Sequence, residues 1–423
     1  IANGQDYVEV GGVWVRLDGE RVRSLAVLLE EARTLVPWDG DGIRLTPMQV
    51  GIVDMLASAS DRVSLSDAWR SRIAPLRGGS TDTGLPPIAS LSSILRPYQR
   101  RGHAWLTARL AGGIGGILAD DMGLGKTVQI LSAVAALRAE KSEDARAPVL
   151  VVAPTSVVGV WIEQARHFMP ALSVRAVTET ATRRGTTIAQ EVMGADIVVT
   201  SYTLARLEAQ QWNRVSLGGI VIDEAQAVKN PRTATYRALR DLEAPWKLAV
   251  SGTPIENSLS DLWSLLSLTC PGLLPPWDVF QQRVRRPIEN GVDPSMLERL
   301  SAYVAPFVLR RTKEEVAPDL PDKIVDVVRV DLGKEHRHIY DQYLVRERAR
   351  ILDLLRDVET NRMTVLASIT RLRQLALDPA LVEESFAHVG SAKIEYLADR
   401  LDEIVPLGHR ALVFSQFTSF LAR

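Results

Sequence analysis

Cysteine is almost absent from this 423-residue chain. Cys270 stands alone, which excludes a disulfide framework and any multi-cysteine zinc or iron–sulfur site. That composition suits a reducing compartment. Net charge is nearly absent as well: 50 basic residues against 51 acidic ones leave −1. Any contact with a polyanion must then come from local basic patches, not from bulk charge. Long apolar runs are missing, and none reaches the roughly 18 residues of a membrane span. Lysine is scarce, with eight among the 50 basic residues. Arginine suits phosphate forks, although GC-rich coding explains the bias more simply. The chain starts at Ile1, with no initiator Met and no signal-peptide pattern, so its natural ends stay open.

What is present is ordinary for a globular protein. Hydrophobic residues are 46 % and charged residues 24 %, enough to build sizeable cores and to exclude wholesale disorder. Length alone suggests about three domains. Residues 1–80 read as a small α+β accessory module. Tyr7–Val10 and Val13–Leu17 are short β-type runs joined by Gly11-Gly12, a hairpin signal. Residues 25–32 and 48–56 carry helix-like apolar spacing. The stretch Gly78–Pro87, rich in Gly, Pro and Thr, is the linker signal, and residues 81–90 read as the linker.

From residue 91 the rhythm changes. Buried-type runs at 116–119, 149–153, 197–200, 219–222 and 248–250 alternate with helical stretches at 126–139, 157–168, 187–193, 232–242 and 259–268. Runs apolar on both faces, alternating with helices, predict a doubly wound parallel sheet over 91–270. Such lobes bind ligands beyond the carboxyl ends of their strands. Residues 271–405 read as a linker and helical region, with helices at 335–357, 360–377 and 391–404. In 406–423, Ala411-Leu412-Val413-Phe414 reads as a new buried strand, and Ser419–Leu421 begin a helix.

Three motifs fall at predicted strand ends. Asp120-Asp121-Met122-Gly123-Leu124-Gly125-Lys126-Thr127 follows a strand and opens a helix. Its glycines let backbone N–H groups curl around phosphate oxygens. Lys126 can reach the β- and γ-phosphates, and the Thr127 hydroxyl can ligate Mg²⁺. The strict phosphate-loop pattern wants Gly where Asp120 stands, so the match is to the shorter GxGK[ST] core. Ile220-Val221-Ile222-Asp223-Glu224-Ala225-Gln226 ends another strand. One acid there can hold Mg²⁺, and the next can polarise a water. Ser251-Gly252-Thr253-Pro254-Ile255-Glu256-Asn257 ends a third strand. Its hydroxyls can bond to the Asp223–Glu224 segment, although alone it would be a plain βα turn.

Leu95-Arg96-Pro97-Tyr98-Gln99 precedes these motifs and Pro306-Phe307-Val308-Leu309-Arg310-Arg311-Thr312-Lys313 follows them. Lys229-Asn230-Pro231, Arg371-Leu372-Arg373-Gln374 and Ala411-Leu412-Val413-Phe414-Ser415-Gln416-Phe417 complete the set. In this order the segments resemble the SWI/SNF family of superfamily-two ATPases, in its bacterial form, over residues 90–423. The resemblance implies a RecA-like first lobe, helical insertions, and the beginning of a second RecA-like lobe at 406–423. It implies an ATP-dependent, double-stranded-DNA translocase or remodeller that uses ATP and Mg²⁺. Gln99 would read adenine, with Arg96 and Tyr98 shaping the pocket. Asp121, Met122, Gly123, Leu124, Gly125, Lys126 and Thr127 would hold the phosphates. Thr127 and Asp223 would take Mg²⁺, and Glu224 would be the catalytic base. Gln226, Ser251, Gly252 and Thr253 would couple hydrolysis to lobe motion. Thr155, Ser156, Ser201, Tyr202, Arg310 and Arg311 would touch DNA. Cytoplasmic, nucleoid-associated work is implied as well.

Family members insert arginines at the γ-phosphate from a point after the Val-Phe-Ser-Gln strand. No arginine in 1–423 sits in a matching motif, so this stretch alone is expected to bind nucleotide with little DNA-stimulated turnover. Two other readings stay open: a nucleotide-gated module docking on DNA or RNA polymerase without motor activity, and an RNA-directed helicase. His336 and His338 on a polar helix do not suggest a metal site. Cys270 reads as a small buried residue. Trp161 reads as core and not as a base-stacking platform.

Overall fold

The fold is described from a computed structural model. It describes residues 7–10, 13–16, 48, 50, 67, 70, 73, 74, 76, 84–140, 142, 146–252, 259–291, 294–316, 324–354 and 358–423. The chain divides into two compact units, Ile1–Leu320 and Pro321–Arg423.

Two strands near the N-terminus, β1 (Tyr7–Val10) and β2 (Val13–Arg16), form an antiparallel hairpin. The register runs from Tyr7↔Arg16 to Val10↔Val13. A seven-stranded sheet organises the rest of the first unit. Its strands are β3 (Gly116–Leu118), β4 (Val149–Ala153), β5 (Val174–Val177), β6 (Ile197–Ser201), β7 (Gly219–Asp223), β8 (Lys247–Val250) and β9 (Val308–Leu309). The order is β5-β6-β4-β7-β8-β3-β9, and every pairing is parallel.

Alternation along the strands splits the interior into two cores, one per face. Ile117, Leu150, Val152, Val198, Ile220, Ile222 and Ala249 face one side. Leu118, Val149, Val151, Val199, Val221, Leu248 and Val250 face the other. Helices cover both faces, which is why each strand is apolar throughout. On the second face lie α1 (Pro97–Ala111), α2 (Lys126–Ala139) and α3 (Thr155–Phe168). On the first lie α4 (Ala234–Asp241), α5 (Leu259–Thr269) and α6 (Pro294–Val304).

The predicted strands and helices of 116–269 therefore recur within one or two residues. Two strands had no sequence signal: β5, whose middle residues Arg175 and Ala176 are exposed, and the two-residue β9. Because β9 extends the sheet beside β3, the lobe continues past the expected limit at residue 270. The N-terminal region also differs from a separate module. Val50, Ile73 and Leu76 are buried in the lobe's first core. The Arg109 guanidinium donates to the carbonyls of Pro306 (2.8 Å), Trp105 (3.2 Å) and Leu76 (3.4 Å). The expected helix at 25–32 lies outside the described residues, as does the one at 48–56 apart from Met48 and Val50. The expected linker is not free where it is described: the Leu85 carbonyl is 2.8 Å from Nε2 of the buried His103 on α1.

In the second unit, α7 (Lys334–Leu354) and α8 (Val358–Leu375) form an antiparallel hairpin. His336 Nε2 lies 2.6 Å from the Leu375 carbonyl, and Arg371 pairs with Glu347 at 2.6 Å. α9 (Ala392–Ile404) follows, with Ser391 as its N-cap. The run 411–414 is a correction. It is not a strand, and Leu412 and Phe414 are 84 % and 85 % exposed. A buried strand requires neighbours to take its backbone hydrogen bonds, and among the described residues this run has none. A short helix does follow, at Thr418–Leu421.

Among the described residues, no helix is long and apolar enough to cross a membrane.

Candidate nucleotide site

Three strand ends converge at the carboxyl edge of the sheet. After β3 the chain turns through Asp120–Gly125 into α2. Gly123 (φ 88°) and Gly125 (φ 71°) adopt the left-handed conformation that the turn requires. A Cβ at Gly125 would also stand 2.5 Å from Gln99 Nε2. The loop is held from α1: the Tyr98 hydroxyl (3.1 Å) and Gln99 Nε2 (3.2 Å) both donate to the Leu124 carbonyl. Gln99 Oε1 accepts from the Arg96 backbone N–H at 2.9 Å, closing a capping box at the start of α1. Arg96 and Met122 are exposed, and Thr127 is half-buried at the first turn of α2.

Lys126 folds back over this loop, and its Nζ donates to the carbonyls of Asp120 (2.7 Å) and Asp121 (3.3 Å). Burial pushes its pKa down, while the carboxylates of Glu224, Asp120, Asp223 and Asp121 oppose that shift. An ammonium surrounded by acids and, among the described residues, held by two carbonyls is poised to take a phosphate in their place.

β7 ends at Asp223, whose carboxylate is buried. Its Oδ2 accepts from Trp161 Nε1 at 2.7 Å, and its Oδ1 from the Glu224 N–H at 3.0 Å. Burial pushes the Asp223 carboxyl above its ordinary range, and the Trp161 hydrogen bond opposes that. Glu224 has φ 49°, the one positive φ outside glycine among the described residues. Such a conformation costs of order 1–3 kcal/mol and persists only when surroundings impose it. The Tyr202 hydroxyl supplies part of that constraint, donating to the Asp223 carbonyl at 2.5 Å.

From β8, the Ser251 hydroxyl donates to Gln226 Oε1 at 2.8 Å, and Gln226 Nε2 donates to Glu224 Oε2 at 2.6 Å. A continuous relay thus runs Ser251–Gln226–Glu224. Gly252 packs beside Met122, where a Cβ would stand 3.0 Å from Met122 Cγ. Thr253 lies outside the described residues.

The residues expected to touch DNA do not behave alike. Thr155 and Ser156 are exposed at the start of α3, and Arg310 is exposed after β9. Ser201 is buried, and its hydroxyl caps the Leu204 N–H at 3.3 Å. The phenol of Tyr202 is turned inward onto Asp223. Arg311 is 9 % exposed and forms an ion pair with the fully buried Asp120. These three side chains serve the lobe's interior, because a buried donor or acceptor must be satisfied where it sits. Trp161 was legible only as core. It is core, and it also holds the site carboxylate. Nothing in its spacing could show that, since Asp223 is 62 residues away.

A doubly wound parallel lobe with a glycine loop, a lysine, an Asp-Glu strand end and a serine at the same edge belongs to the class of nucleotide-binding α/β lobes. The chain belongs to the SNF2-related family, whose domain model matches residues 98–381. It is 33 % identical over 99 % of its length to YwqA of Bacillus subtilis, which carries the name of an ATP-dependent helicase/translocase. It is 30 % identical over 80 % of its length to the TATA-binding protein-associated factor MOT1 of Saccharomyces cerevisiae. It spans 46 % of the former protein and 19 % of the latter. A solved SWI2/SNF2 ATPase core of Sulfolobus solfataricus in complex with double-stranded DNA overlaps 77 % of the chain and 68 % of its own, at 31 % identity and a TM-score of 0.49. The family assignment rests on the sequence matches.

Proposed function

We propose that this chain forms the nucleotide-hydrolysing lobe of an ATP-dependent double-stranded-DNA translocase or remodeller of SWI/SNF type. The observation that carries the reading is the meeting of Lys126, Asp223 and the Ser251–Gln226–Glu224 relay at one sheet edge. Family membership and the names of the relatives support the same direction. Work on nucleoid DNA in the cytoplasm goes with this reading.

Each group then has a task. Gly123, Gly125 and the N-terminus of α2 receive phosphate oxygens. Lys126 exchanges two carbonyl partners for the β- and γ-phosphates. The Thr127 hydroxyl and the Asp223 carboxylate are hard oxygen donors of the kind Mg²⁺ takes alongside substrate phosphates. They fit that ion, which would neutralise charge developing on the phosphoryl group. Glu224 has one carboxylate oxygen held by Gln226, leaving the other to orient a water and accept its proton. The relay to Ser251 gives β8 a path by which the state of Glu224 reaches the chain that follows. Gln99, bonded to the Arg96 N–H and the Leu124 carbonyl, is the candidate reader of adenine, with Arg96 beside it. Thr155, Ser156 and Arg310 are the remaining candidates for DNA phosphates, a contact that positions without reading sequence.

Nucleotide hydrolysis by the full-length protein, measured with duplex DNA, single-stranded DNA and RNA, tests the reading. Stimulation should be greatest with duplex DNA and should vanish in Lys126→Ala. Preference for RNA, or hydrolysis unaffected by that substitution, would overturn it.

A further inference from the structure

The segment after β9 is bonded to the phosphate loop more heavily than a sheet-edge connection requires. Pairing begins in the sheet, with Ile117↔Val308 and Leu118↔Leu309. It then continues beyond the strands. The Ala119 N–H donates to the Leu309 carbonyl at 2.6 Å, and the Asp121 N–H to the Arg311 carbonyl at 3.0 Å. In return, the Lys313 N–H donates to Asp121 Oδ2 at 3.1 Å. A Cβ at Gly123 would stand 3.7 Å from Lys313 Nζ. The strand and its continuation thus follow the loop from its first residue to its glycine.

Arg311 closes this arrangement from inside. Its Nε donates to Asp120 Oδ1 at 2.9 Å, and its Nη2 donates to Asp120 Oδ2 as well, a two-pronged fork. Nη2 also donates to Gln129 Oε1 at 2.7 Å, and Nη1 donates to the Tyr98 carbonyl. Gln129 Nε2 in turn donates to Asp120 Oδ2 at 3.1 Å. The guanidinium carbon lies 5.4 Å from the Tyr98 ring centroid. Gly102 makes the room: a Cβ there would stand 1.8 Å from Gln129 Oε1 and 2.8 Å from Arg311 Nη2. The cluster therefore ties α1, α2 and the 308–313 segment to Asp120, whose own carbonyl holds Lys126 Nζ.

We propose that Arg311 is a positioning residue for the phosphate loop, and that residues 308–313 form a brace fixing the loop in its nucleotide-receiving shape. A buried ion pair is weak evidence for stability, because desolvation offsets most of its attraction. Its geometry is better suited to fixing a shape. Asp120 stands where a strict phosphate loop has glycine, so this loop has a side chain by which it can be held, and Arg311 holds it. The proposal rests on residues 120–127 being the nucleotide loop.

The test compares Arg311→Lys, the neutral pair Asp120→Asn/Arg311→Gln, and Lys126→Ala. Equilibrium binding of a fluorescent ATP analogue and the thermal midpoint are measured on each. Removing both charges together leaves no buried ion without a partner, so the neutral pair should melt close to the wild type. Both Arg311 variants should nonetheless bind at least about tenfold more weakly, because small misplacements of positioned groups cost that much. Unchanged affinity in the folded neutral pair would overturn the brace, as would affinity losses that only follow the melting point across the variants. Unchanged affinity in Lys126→Ala would instead overturn the reading of the loop itself.

Discussion

In residues 1–320, Leu106, Ile130, Ile220 and Phe307 are fully buried; in residues 321–423, Ile324, Val327, Leu412 and Phe414 are between 76 % and 92 % exposed. The side chains are of the same kind, so apolarity does not separate the two regions. Topology does. Each inner strand of the seven-stranded sheet has a neighbour on both edges and a helical layer on both faces, so every residue along it finds apolar contact. The α7–α8 hairpin packs its helices on each other and on the turn at Pro379–Leu381, and its Leu344, Val345, Leu352, Met363 and Leu366 are exposed. Residues 321–423 bury few apolar side chains, Ile339 and Leu375 among them, and polar fixings stand beside these: His336 on the Leu375 carbonyl, Arg371 on Glu347, and Arg423 on Asp378 at 3.0 Å.

Substitutions at matched residues sharpen this contrast. Phe307→Ala in the lobe should cost about 3–5 kcal/mol, the usual range for emptying a buried aromatic site. Phe414→Ala should change stability by no more than about 0.5 kcal/mol, as at other exposed positions. Urea unfolding of the two variants checks the pair, and similar costs at both positions would erase the distinction.

A smaller effect concerns the charged groups buried at the carboxyl edge of the sheet. Burial raises the Asp223 pKa above its ordinary 3.8. The folded protein therefore takes up this proton at a higher pH than the unfolded chain does. Stability falls as pH rises from 3.8 through the folded value, and stays low above it. Asp223→Asn should then raise the melting temperature at pH 7. The gain should shrink as pH falls toward 3.8. A loss of stability at pH 7 would show that the Trp161 and Glu224 hydrogen bonds outweigh the burial. The smallest effect is at Cys270, whose thiol is pushed up to about 12 by burial. Native protein at pH 8 should resist a thiol reagent that reacts at once after unfolding.

The same contrast explains how far the sequence could be read. The Gly123-Leu124-Gly125-Lys126-Thr127 spacing and the Asp223-Glu224 strand end announce themselves locally, and the lobe's strands and helices follow from apolar periodicity. Ala411–Phe414 has the same local signature as those strands and is not one, because a strand is made by its neighbours. The family resemblance offers Arg311 to DNA; its partner in the fold, Asp120, is 191 residues away in the chain. Tyr202 and Trp161 are alike in this respect, each being defined by a contact with Asp223 that only the assembled sheet creates. Local chemistry was legible, and the long-range partnerships that hold it in place were not.

Glu224 is the residue on which the proposed function turns, since it carries the left-handed backbone and ends the Ser251–Gln226 relay. Glu224→Gln keeps the shape of the side chain and removes the base. Binding of a fluorescent ATP analogue, measured in the full-length protein alongside duplex-DNA-stimulated hydrolysis, separates its two contributions. Glu224→Gln should bind the nucleotide as tightly as the wild type and lose hydrolysis by at least about 100-fold, the scale of a general base. Hydrolysis retained near the wild-type rate would contradict the assignment of this sheet edge as the hydrolytic site.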